Sequence, residues 1–558
     1  MKTILTTLNA KYIHTSLALR WLYVANKDKF DISFSEFTIK ENIENIANDI
    51  LSQKPDIVGI SVSIWNVEQS KRLASKLKQK NKNIIIILGG PEVSYEPEFF
   101  INNWDIDFTI SGEGEFVLGE LLNALHNSSE VNIEAVSYKN NISEITAQAD
   151  IEKLVKLESP YKLKSDVNDL GNRMVYFETS RGCPYQCQYC LSSLEKGVRY
   201  FPQDYIFDNL KYLINENTKN IKFLDRTFNL NKVHTEAIWG FLIKNYRQSL
   251  SCQFEVYADL LDSESIEFLN KNLPENFFRF EIGIQSTYEP TNIAVKRNQN
   301  FDILKRNIEH IMQGNKIDLH LDLIAGLPFE TYELFVNSFN EVFALKAKEL
   351  QLGFLKMLRG TAIRNNANDH EYIFEETAPY EIISNTYISA QELKRIHNAE
   401  YTLNRFWNSG RFPLTMNKVF EEIYKNRYFN FFDDLAKYYE ENKLPKRAYQ
   451  LTDLFQNLHN FLLSKNIDAT SCLRDDYYSN FNSRPRTYWL KSFSKEKRKK
   501  LLRKIGQDNE FLQKHRINRR LIEKQTAIDK LENNKFLLTV FLDDGIKMQI
   551  EYDNSKEY

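Results

Sequence analysis

The sequence predicts a multidomain α/β chain: an N-terminal open parallel sheet, a partial barrel of six β/α units and a mostly α-helical C-terminal domain. Three observations predict it. Over about the first 130 residues, strand-length apolar runs alternate with amphipathic helices, and glycines stand at the strand ends. The alternation resumes between 174 and 358 with six candidate strands, short of the eight of a complete barrel. After about residue 370 glycine thins out, and Tyr, Phe, Asn and Leu recur at helical spacing. The chain's 558 residues leave room for three or four domains at about 150 residues each. Hydrophobic residues at 42% and charged residues at 27% fit a folded globular protein and disagree with a disordered one. A net charge of −2 gives no electrostatic case for nucleic-acid binding by the molecule as a whole. Five cysteines, an odd number in so long a chain, exclude the disulfide framework of a secreted module.

Met1-Lys2-Thr3-Ile4-Leu5 opens a short apolar strand that breaks at Thr6-Thr7, with no apolar segment of signal-peptide length. The densest apolar run, Ile84 to Leu88, falls far short of the ~20 residues of a membrane helix. The expectation is a cytoplasmic protein without a membrane partner, its thiols reduced and free to bind metal.

Taken in order, Asp56 to Ser63 reads as a strand buried on both faces, and Asn66 caps a helix that puts Leu73 and Leu77 on one side. Ile84 to Leu88 is the next strand, ending in Gly89-Gly90-Pro91-Glu92. Ile106 to Ile110 follows, ending in Ser111-Gly112-Glu113-Gly114-Glu115. Ligands of such a sheet sit at the strands' carboxyl ends, which makes this a Rossmann-like domain over residues 1–135. Residues 136–170 read as a hairpin, turning at Asn140-Asn141, and a polar linker. The barrel spans 171–368, with strands at Met174–Arg181, Ile221–Phe228, Cys252–Asp259, Phe277–Ser286, Ile317–Pro328 and Glu349–Leu358. Residues 369–558 read as helical until a final hairpin, Phe536–Leu542 and Ile546–Tyr552, around Asp543-Asp544-Gly545.

Three of the five cysteines, Cys183, Cys187 and Cys190, fall within eight residues at C-x3-C-x2-C spacing. Structural zinc wants a fourth Cys or His and a closed shell, and no such partner stands nearby. Three thiolates suit a 4Fe–4S cluster that keeps one iron without a protein ligand. The loop follows the first barrel strand, where barrels of this kind place their active sites. Cys252 opens a barrel strand and reads as core, and Cys472 has no metal-spaced neighbour.

Thr179-Ser180-Arg181-Gly182-Cys183-Pro184-Tyr185-Gln186-Cys187-Gln188-Tyr189-Cys190 resembles the cluster loop of radical S-adenosylmethionine (radical SAM) enzymes. The resemblance implies that SAM chelates the open iron and is cleaved reductively to methionine and a 5′-deoxyadenosyl radical that abstracts hydrogen from a substrate. It implies Tyr189 near the adenine. Phe280-Glu281-Ile282-Gly283-Ile284-Gln285-Ser286 resembles the fourth-strand segment that approaches the ribose and methionyl part, with Glu281, Gln285 and Ser286 as contacts; ordinary strand-end polarity is the alternative. Leu323 to Glu330, with Ile324 and Gly326, looks like the fifth-strand segment near the adenine. Arg297 is a candidate for SAM's carboxylate, which a guanidinium matches in a bidentate way, and otherwise a salt bridge. The usual Gly-Gly-Glu after the second strand is replaced by Phe223-Leu224-Asp225-Arg226-Thr227-Phe228-Asn229, leaving Asp225 as the candidate for the amino group.

A barrel of this kind behind such an open sheet is similar to the cobalamin-binding radical SAM subgroup. The resemblance makes Ser61, Ser63, Gly89, Gly90, Glu92, Gly112, Glu113, Gly114 and Glu115 candidate cobalamin contacts, small residues letting a corrin approach the backbone. The D-x-H-x-x-G pattern of histidine-ligated cobalamin is not kept: the loop reads Tyr12-Ile13-His14-Thr15-Ser16-Leu17. His14 is therefore a cobalt ligand, a corrin or substrate contact, or a helix-start histidine bonded to backbone. The leading reading is a radical SAM enzyme with 4Fe–4S, SAM and cobalamin as cofactors, a small-molecule substrate and an electron donor such as flavodoxin or ferredoxin. Methyl transfer to, or rearrangement or cyclisation of, an unactivated carbon is the implied reaction. The alternatives are a radical SAM enzyme whose vestigial first domain binds only substrate or partner, and a non-catalytic iron–sulfur carrier or sensor. A methylthiotransferase disagrees with the lack of cysteine in residues 1–182. Lys491 to Arg520 holds twelve basic against three acidic residues, read as a solvated helix with Leu501 and Leu502 inward rather than a nucleic-acid surface. Arg359, at the end of the sixth strand, is a substrate contact or a structural charge.

Overall fold

Short apolar runs become strands, and the amphipathic stretches between them become helices, in the computed structural model, which describes residues 1–195, 197–483, 489–490, 493–531, 535–542 and 546–553. The N-terminal sheet has six strands: β1 (Lys2–Asn9), β2 (Asp31–Thr38), β3 (Ile57–Ser61), β4 (Ile85–Gly89), β5 (Phe108–Ile110) and β6 (Val136–Tyr138). Their order is β2-β1-β3-β4-β5-β6, parallel except for β6, which runs antiparallel to β5. Helices α1 (Leu17–Asn26), α2 (Ile43–Ser52), α3 (Val67–Lys80), α4 (Pro97–Asn103) and α5 (Glu115–His126) connect the first five strands and lead out of the fifth. Successive strand residues feed two cores. Val58, Ile86 and Leu88 pack with Leu73 and Leu77 of α3, whereas Ile57, Ile87 and Ile110 pack with Leu19 of α1 and Leu118 of α5. Burial on both faces explains the unbroken apolar runs.

Two local expectations come out differently. Asn66 does precede α3, but its side chain does not cap the helix. It accepts from the Ser63 amide at 2.8 Å and donates to the carbonyls of Leu8 at 3.1 Å and Ser61 at 3.2 Å, tying the ends of β1 and β3 together. The turn at Asn140-Asn141 forms, with Asn140 at φ 68°, yet the arm before it joins the N-terminal sheet as β6.

The barrel strands are β7 (Met174–Phe177), β10 (Asn220–Phe223), β11 (Ser251–Glu255), β12 (Phe278–Gln285), β13 (Asp318–Ala325) and β14 (Glu349–Phe354); between β7 and β10 lie the short β8 (Ser180–Arg181) and β9 (Arg199–Tyr200). The sheet order is β14-β13-β12-β11-β10-β7, so each predicted strand stretch contributes one strand in sequence order. One face buries Phe177, Phe223, Phe254 and Phe280; Lys222, Gln253 and Glu281 fall at the alternate positions. A two-stranded ribbon, β15 (Ile373–Phe374) and β16 (Ile382–Ser384), follows.

The described chain divides into two units: Met1–Ser338, Leu345–Ala347 and Gln351–Leu393 in one, Phe339–Ala344, Lys348–Leu350 and Lys394–Tyr558 in the other. The second unit carries helices Pro413–Glu422, Tyr428–Glu441, Leu451–Ser464 and Thr470–Asn480, as its periodicity predicts. Its end departs from the helical reading. Helices Lys495–Ile505, Asn509–Lys514 and Arg519–Lys524 pack Leu502, Ile505 and Ile522 against an antiparallel sheet of β17 (Thr526–Lys530), β18 (Lys535–Phe541) and β19 (Lys547–Asp553). β17 was hidden because Thr526 and Asp529 are buried polar residues, Asp529 accepting from the Tyr478 hydroxyl at 2.8 Å. The turn Asp543-Asp544-Gly545 and the start of the basic segment, Lys491, lie outside the described residues. Among the described residues no helix is long and apolar enough to cross a membrane.

Candidate active site

The carboxyl ends of the barrel strands carry the polar and cysteine motifs. β8 and β9 pair antiparallel and pinch the base of the cysteine loop, Ser180 opposite Tyr200 and Arg181 opposite Arg199. Gly182 makes the pinch possible: at φ 91°, a Cβ there would collide with the Gly197 carbonyl. Asp225 holds the same segment from below. It is buried, accepts from the Thr179 amide at 3.1 Å and from the Thr179 and Ser180 hydroxyls at 2.6 Å each, and burial still lifts its carboxyl to about 6. Asp225 thus faces the loop's backbone, not the open strand end.

Cys183, Cys187 and Cys190 are free thiols on this loop. Cys183 Sγ stands 3.7 Å from the Thr227 hydroxyl, and the Cys190 amide donates to the Cys187 carbonyl at 3.0 Å. Burial pushes the Cys183 and Cys187 thiols up, while the nearby guanidiniums of Arg226 and Arg297 respectively pull them down. Among the described residues no three metal-ligating side chains meet closely enough to cage a single ion. A four-iron cluster is a box held at its corners by thiolates, so cysteines spread along a loop and flanked by cations suit it.

Around the loop, Gln285 ends β12 at φ 68°, beside a register shift between Gly283 and Gln285. Its Oε1 is buried without a partner among the described residues, an acceptor left for a ligand. Ser286 donates to Glu330 at 2.5 Å. Gly326, at φ 91°, offers its carbonyl to the Tyr372 hydroxyl at 3.1 Å, and Ile324 precedes it on β13, half-buried. Arg297 is already engaged: it donates to the Gly283 carbonyl, to Gln299 at 2.8 Å and to the Tyr189 hydroxyl at 3.4 Å, with its guanidinium 4.5 Å from the Tyr257 ring centre. Glu281 sits deeper, paired with Lys222 at 2.8 Å and bonded to Gln253.

A cavity of about 310 Å³ lies between the N-terminal sheet's carboxyl edge and the cysteine loop. Ser61, Gly89, Gly90, Gly112, Glu113, Gly114 and Glu115 line it from one side, and Glu178, Arg181, Ser192, Glu195 and Arg226 from the other. Gly89 leaves its backbone open, since a Cβ there would meet nothing nearer than the Ile110 carbonyl at 3.8 Å, whereas Gly90 and Gly112 stand at positive φ where a Cβ would collide with the Val62 and Ala147 carbonyls. That cradle fits a flat, bulky group lying against the strand ends. Arg181 joins the two sides, reaching Glu113 at 2.9 Å, Glu115 at 2.8 Å and Glu178 at 2.8 Å. Burial raises the Glu115 carboxyl, whereas Arg199 and Arg181 hold Glu113 below its usual value against the same burial.

Three expected contacts stand outside the cavity lining. His14 Nδ1 is 2.8 Å from the Tyr176 hydroxyl, and its carbonyl accepts from Arg173, so it docks on the first barrel strand. Glu92 is bonded to Arg359, at 3.1 Å, and to Tyr380; Ser63 is buried with its amide on Asn66. Arg359 itself is 5% exposed between Glu92 and Glu96, which makes it a structural charge. Arg181, Glu178, Tyr95 and Arg226 were not singled out from sequence, because only the fold brings them to one cavity.

Residues 4–122 match the B12 binding domain family, residues 177–342 the Radical SAM superfamily, and residues 368–541 the family described as protein of unknown function (DUF4080). The chain is 31% identical over 231 residues to the uncharacterized methyltransferase PH0819 of Pyrococcus horikoshii, covering 39% of this chain and 50% of that protein. It is 22% identical to the cobalamin-dependent radical SAM methyltransferase TokK of Streptomyces tokunonensis, over 52% of this chain and 45% of that one. The chain thus spans half or less of the length of these relatives. Among solved structures, the apo cobalamin-dependent S-adenosylmethionine radical enzyme OxsB superposes with TM-score 0.59 at 15% identity, covering 84% of this chain and 75% of that one. The radical SAM methyltransferase TsrM from Kitasatospora setae does so with TM-score 0.54 at 14% identity, over 66% and 76%. The two adjoining matches and the fold agree: the chain carries a B12-binding domain followed by a radical SAM domain, with a DUF4080 region behind them.

Proposed function

We propose that the chain is a cobalamin-dependent radical SAM enzyme that transfers a methyl group to, or rearranges or cyclises at, an unactivated carbon of a small molecule. The observation that carries the reading is the single cavity lined both by the sheet-end glycines of the B12-type domain and by residues next to the cysteine loop. A 4Fe–4S cluster and SAM on the cysteine loop would supply a 5′-deoxyadenosyl radical, and cobalamin in the adjoining cavity would supply a methyl group. The chain's part is placement. Cys183, Cys187 and Cys190 would hold the cluster, and Gly182, Asp225 and the β8–β9 pair fix their loop. Tyr189, Gln285, Ser286, Ile324 and Gly326 would frame SAM, with Arg297 orienting Tyr189 and Glu281 acting from deeper in the barrel. Ser61, Gly89, Gly90 and Gly112 to Glu115 would face the corrin. Ser63 and Glu92 would support that edge, and His14, turned to Tyr176, would leave cobalt without a histidine from this loop. The related TokK and TsrM are methyltransferases, and other relatives are magnesium-protoporphyrin IX monomethyl ester cyclases, which supports both reaction types. The free cysteines suit the reducing cytoplasm, where a flavodoxin or ferredoxin would donate the electron.

Anaerobic reconstitution with iron and sulfide, with hydroxocobalamin offered, tests this. Wild-type protein is expected to take up both groups and to form 5′-deoxyadenosine from SAM under strong reduction. Cys183→Ala is expected to form none, a loss of at least about 100-fold, because one of three thiolates is gone. Deoxyadenosine from Cys183→Ala at the wild-type rate would sink the cluster assignment. Failure to bind corrin would reduce the first domain to a substrate or partner module.

A further inference from the structure

Among the described residues, Arg226 is the one cation of the cavity lining that no carboxylate pairs with. It follows β10, where the family's short motif is replaced by Asp225-Arg226-Thr227, and it lines the cavity together with Glu195 and Tyr95. Its side chain is exposed where it lines the cavity. Every other cationic group there is spent: Arg181 is held by Glu113, Glu115 and Glu178. Among the described residues Arg226 makes no hydrogen bond and no ion pair. Glu195, Glu255 and the thiols of Cys183 and Cys190 lie close enough to feel its charge, but none touches it. An exposed guanidinium on a cavity wall, with no bonded partner in the fold, keeps its donors free for the anion of a ligand.

We infer that Arg226 is a specificity-determining residue that receives an oxyanion, a carboxylate or phosphate, carried by the substrate. The planar fork of a guanidinium matches such groups in two parallel hydrogen bonds, which an ammonium cannot reproduce. Position separates this site from SAM's own carboxylate. Gln285, Ser286, Ile324 and Gly326 end β12 and β13 and do not line the cavity, whereas Arg226 opens toward the B12-type domain. The substrate class that follows is a small acid or phosphate ester, its anion on Arg226 and its reacting carbon between the cysteine loop and the glycine cradle. The inference rests on reading this cavity as the active site.

Inorganic phosphate is the probe, and thermal unfolding of the full-length, cluster-reconstituted protein is the readout. A ligand bound only by the folded chain raises the unfolding midpoint, on the order of 2 °C or more at saturation. Wild type is expected to gain that shift with millimolar phosphate over chloride at equal ionic strength. Arg226→Gln is expected to lose the phosphate-dependent shift, Arg226→Lys to keep part of it, and both to keep the shift that SAM produces. The Gln variant is also expected to start at a midpoint no lower than wild type, since it removes an unpaired charge; a merely structural arginine would lower it by several degrees. A phosphate shift that survives in Arg226→Gln overturns the inference. So does loss of the SAM shift, which would put Arg226 on SAM's carboxylate, and so does a wild type that ignores phosphate. The phosphate arm also runs on cluster-free protein, so a failed reconstitution, which counts against the enzyme reading, leaves this inference separately testable.

Discussion

Glu330 shows how a single buried group can set the behaviour of a cofactor-side strand end. It is 1% exposed, accepts from Ser286 at 2.5 Å and from Ser338 at 2.9 Å, and keeps its second oxygen without a partner among the described residues. Burial lifts its carboxyl to about 7, against the downward pull of the two serines. A folded-state value above the unfolded one means the folded chain holds the proton more tightly. The stability tied to that proton is fully present below about pH 4.5 and is lost as pH rises toward 7. Glu330→Gln copies the protonated shape and cannot ionise. It is expected to match wild type near pH 5 and to exceed it at pH 8 by on the order of 2–3 kcal/mol, read from denaturant midpoints. A difference that does not change with pH would show that Glu330 is already ionised at no cost. The same measurement bears on function, because Ser286 borders the proposed SAM site and is hydrogen-bonded to Glu330.

At the scale of elements, the N-terminal sheet and barrel were legible because their signals are local. Runs such as Ile84 to Leu88, and the C-x3-C-x2-C spacing, need no knowledge of the rest of the fold. What escaped the sequence depends on long-range partners. Nothing around Arg297 announces that Gly283, Gln299 and Tyr189 will occupy its nitrogens, and nothing around His14 announces Tyr176. β17 escaped because its inward residues include Thr526 and Asp529, so the apolar signal of a strand is diluted. The end of β4 was legible and is directly testable. Gly89 does not have positive φ, and a Cβ there would make only an ordinary contact at the cavity wall, so bulk can be added without straining the backbone. Gly89→Val is expected to leave the unfolding midpoint within about 2 °C of wild type and to weaken hydroxocobalamin binding by at least about tenfold. Normal corrin binding, followed by its visible absorption, would move the cofactor away from this edge.

Across the first unit as a whole, Arg181 is the point where the cofactor-binding sheet and the radical barrel become one structure. Glu113 lies between β5 and α5, Glu115 opens α5, Glu178 follows β7, Arg181 lies on β8, and Arg199 from β9 returns to Glu113. Glu178 also accepts from the Trp21 indole at 2.6 Å, and the Arg181 guanidinium lies 5.8 Å from the Trp21 ring centre. This cluster walls the cavity, so the same contacts that hold the two domains together set the spacing between the proposed corrin and cysteine loop. Replacing the pairs by apolar residues could be neutral, but removing the cation alone leaves the largely buried Glu115 and Glu178 without a cation, Glu113 keeping Arg199. Arg181→Met is therefore expected to cost on the order of 3–5 kcal/mol and to split calorimetric unfolding so that the N-terminal domain melts first. Arg181→Lys keeps the charge but not the fork that reaches three carboxylates, and is expected to fall between. If Arg181→Met unfolds as wild type does, the domains are held by their remaining contacts, Arg199 to Glu113 and the surrounding packing among them. The cavity's width would then be set by those contacts, and corrin uptake in the variant would be unchanged.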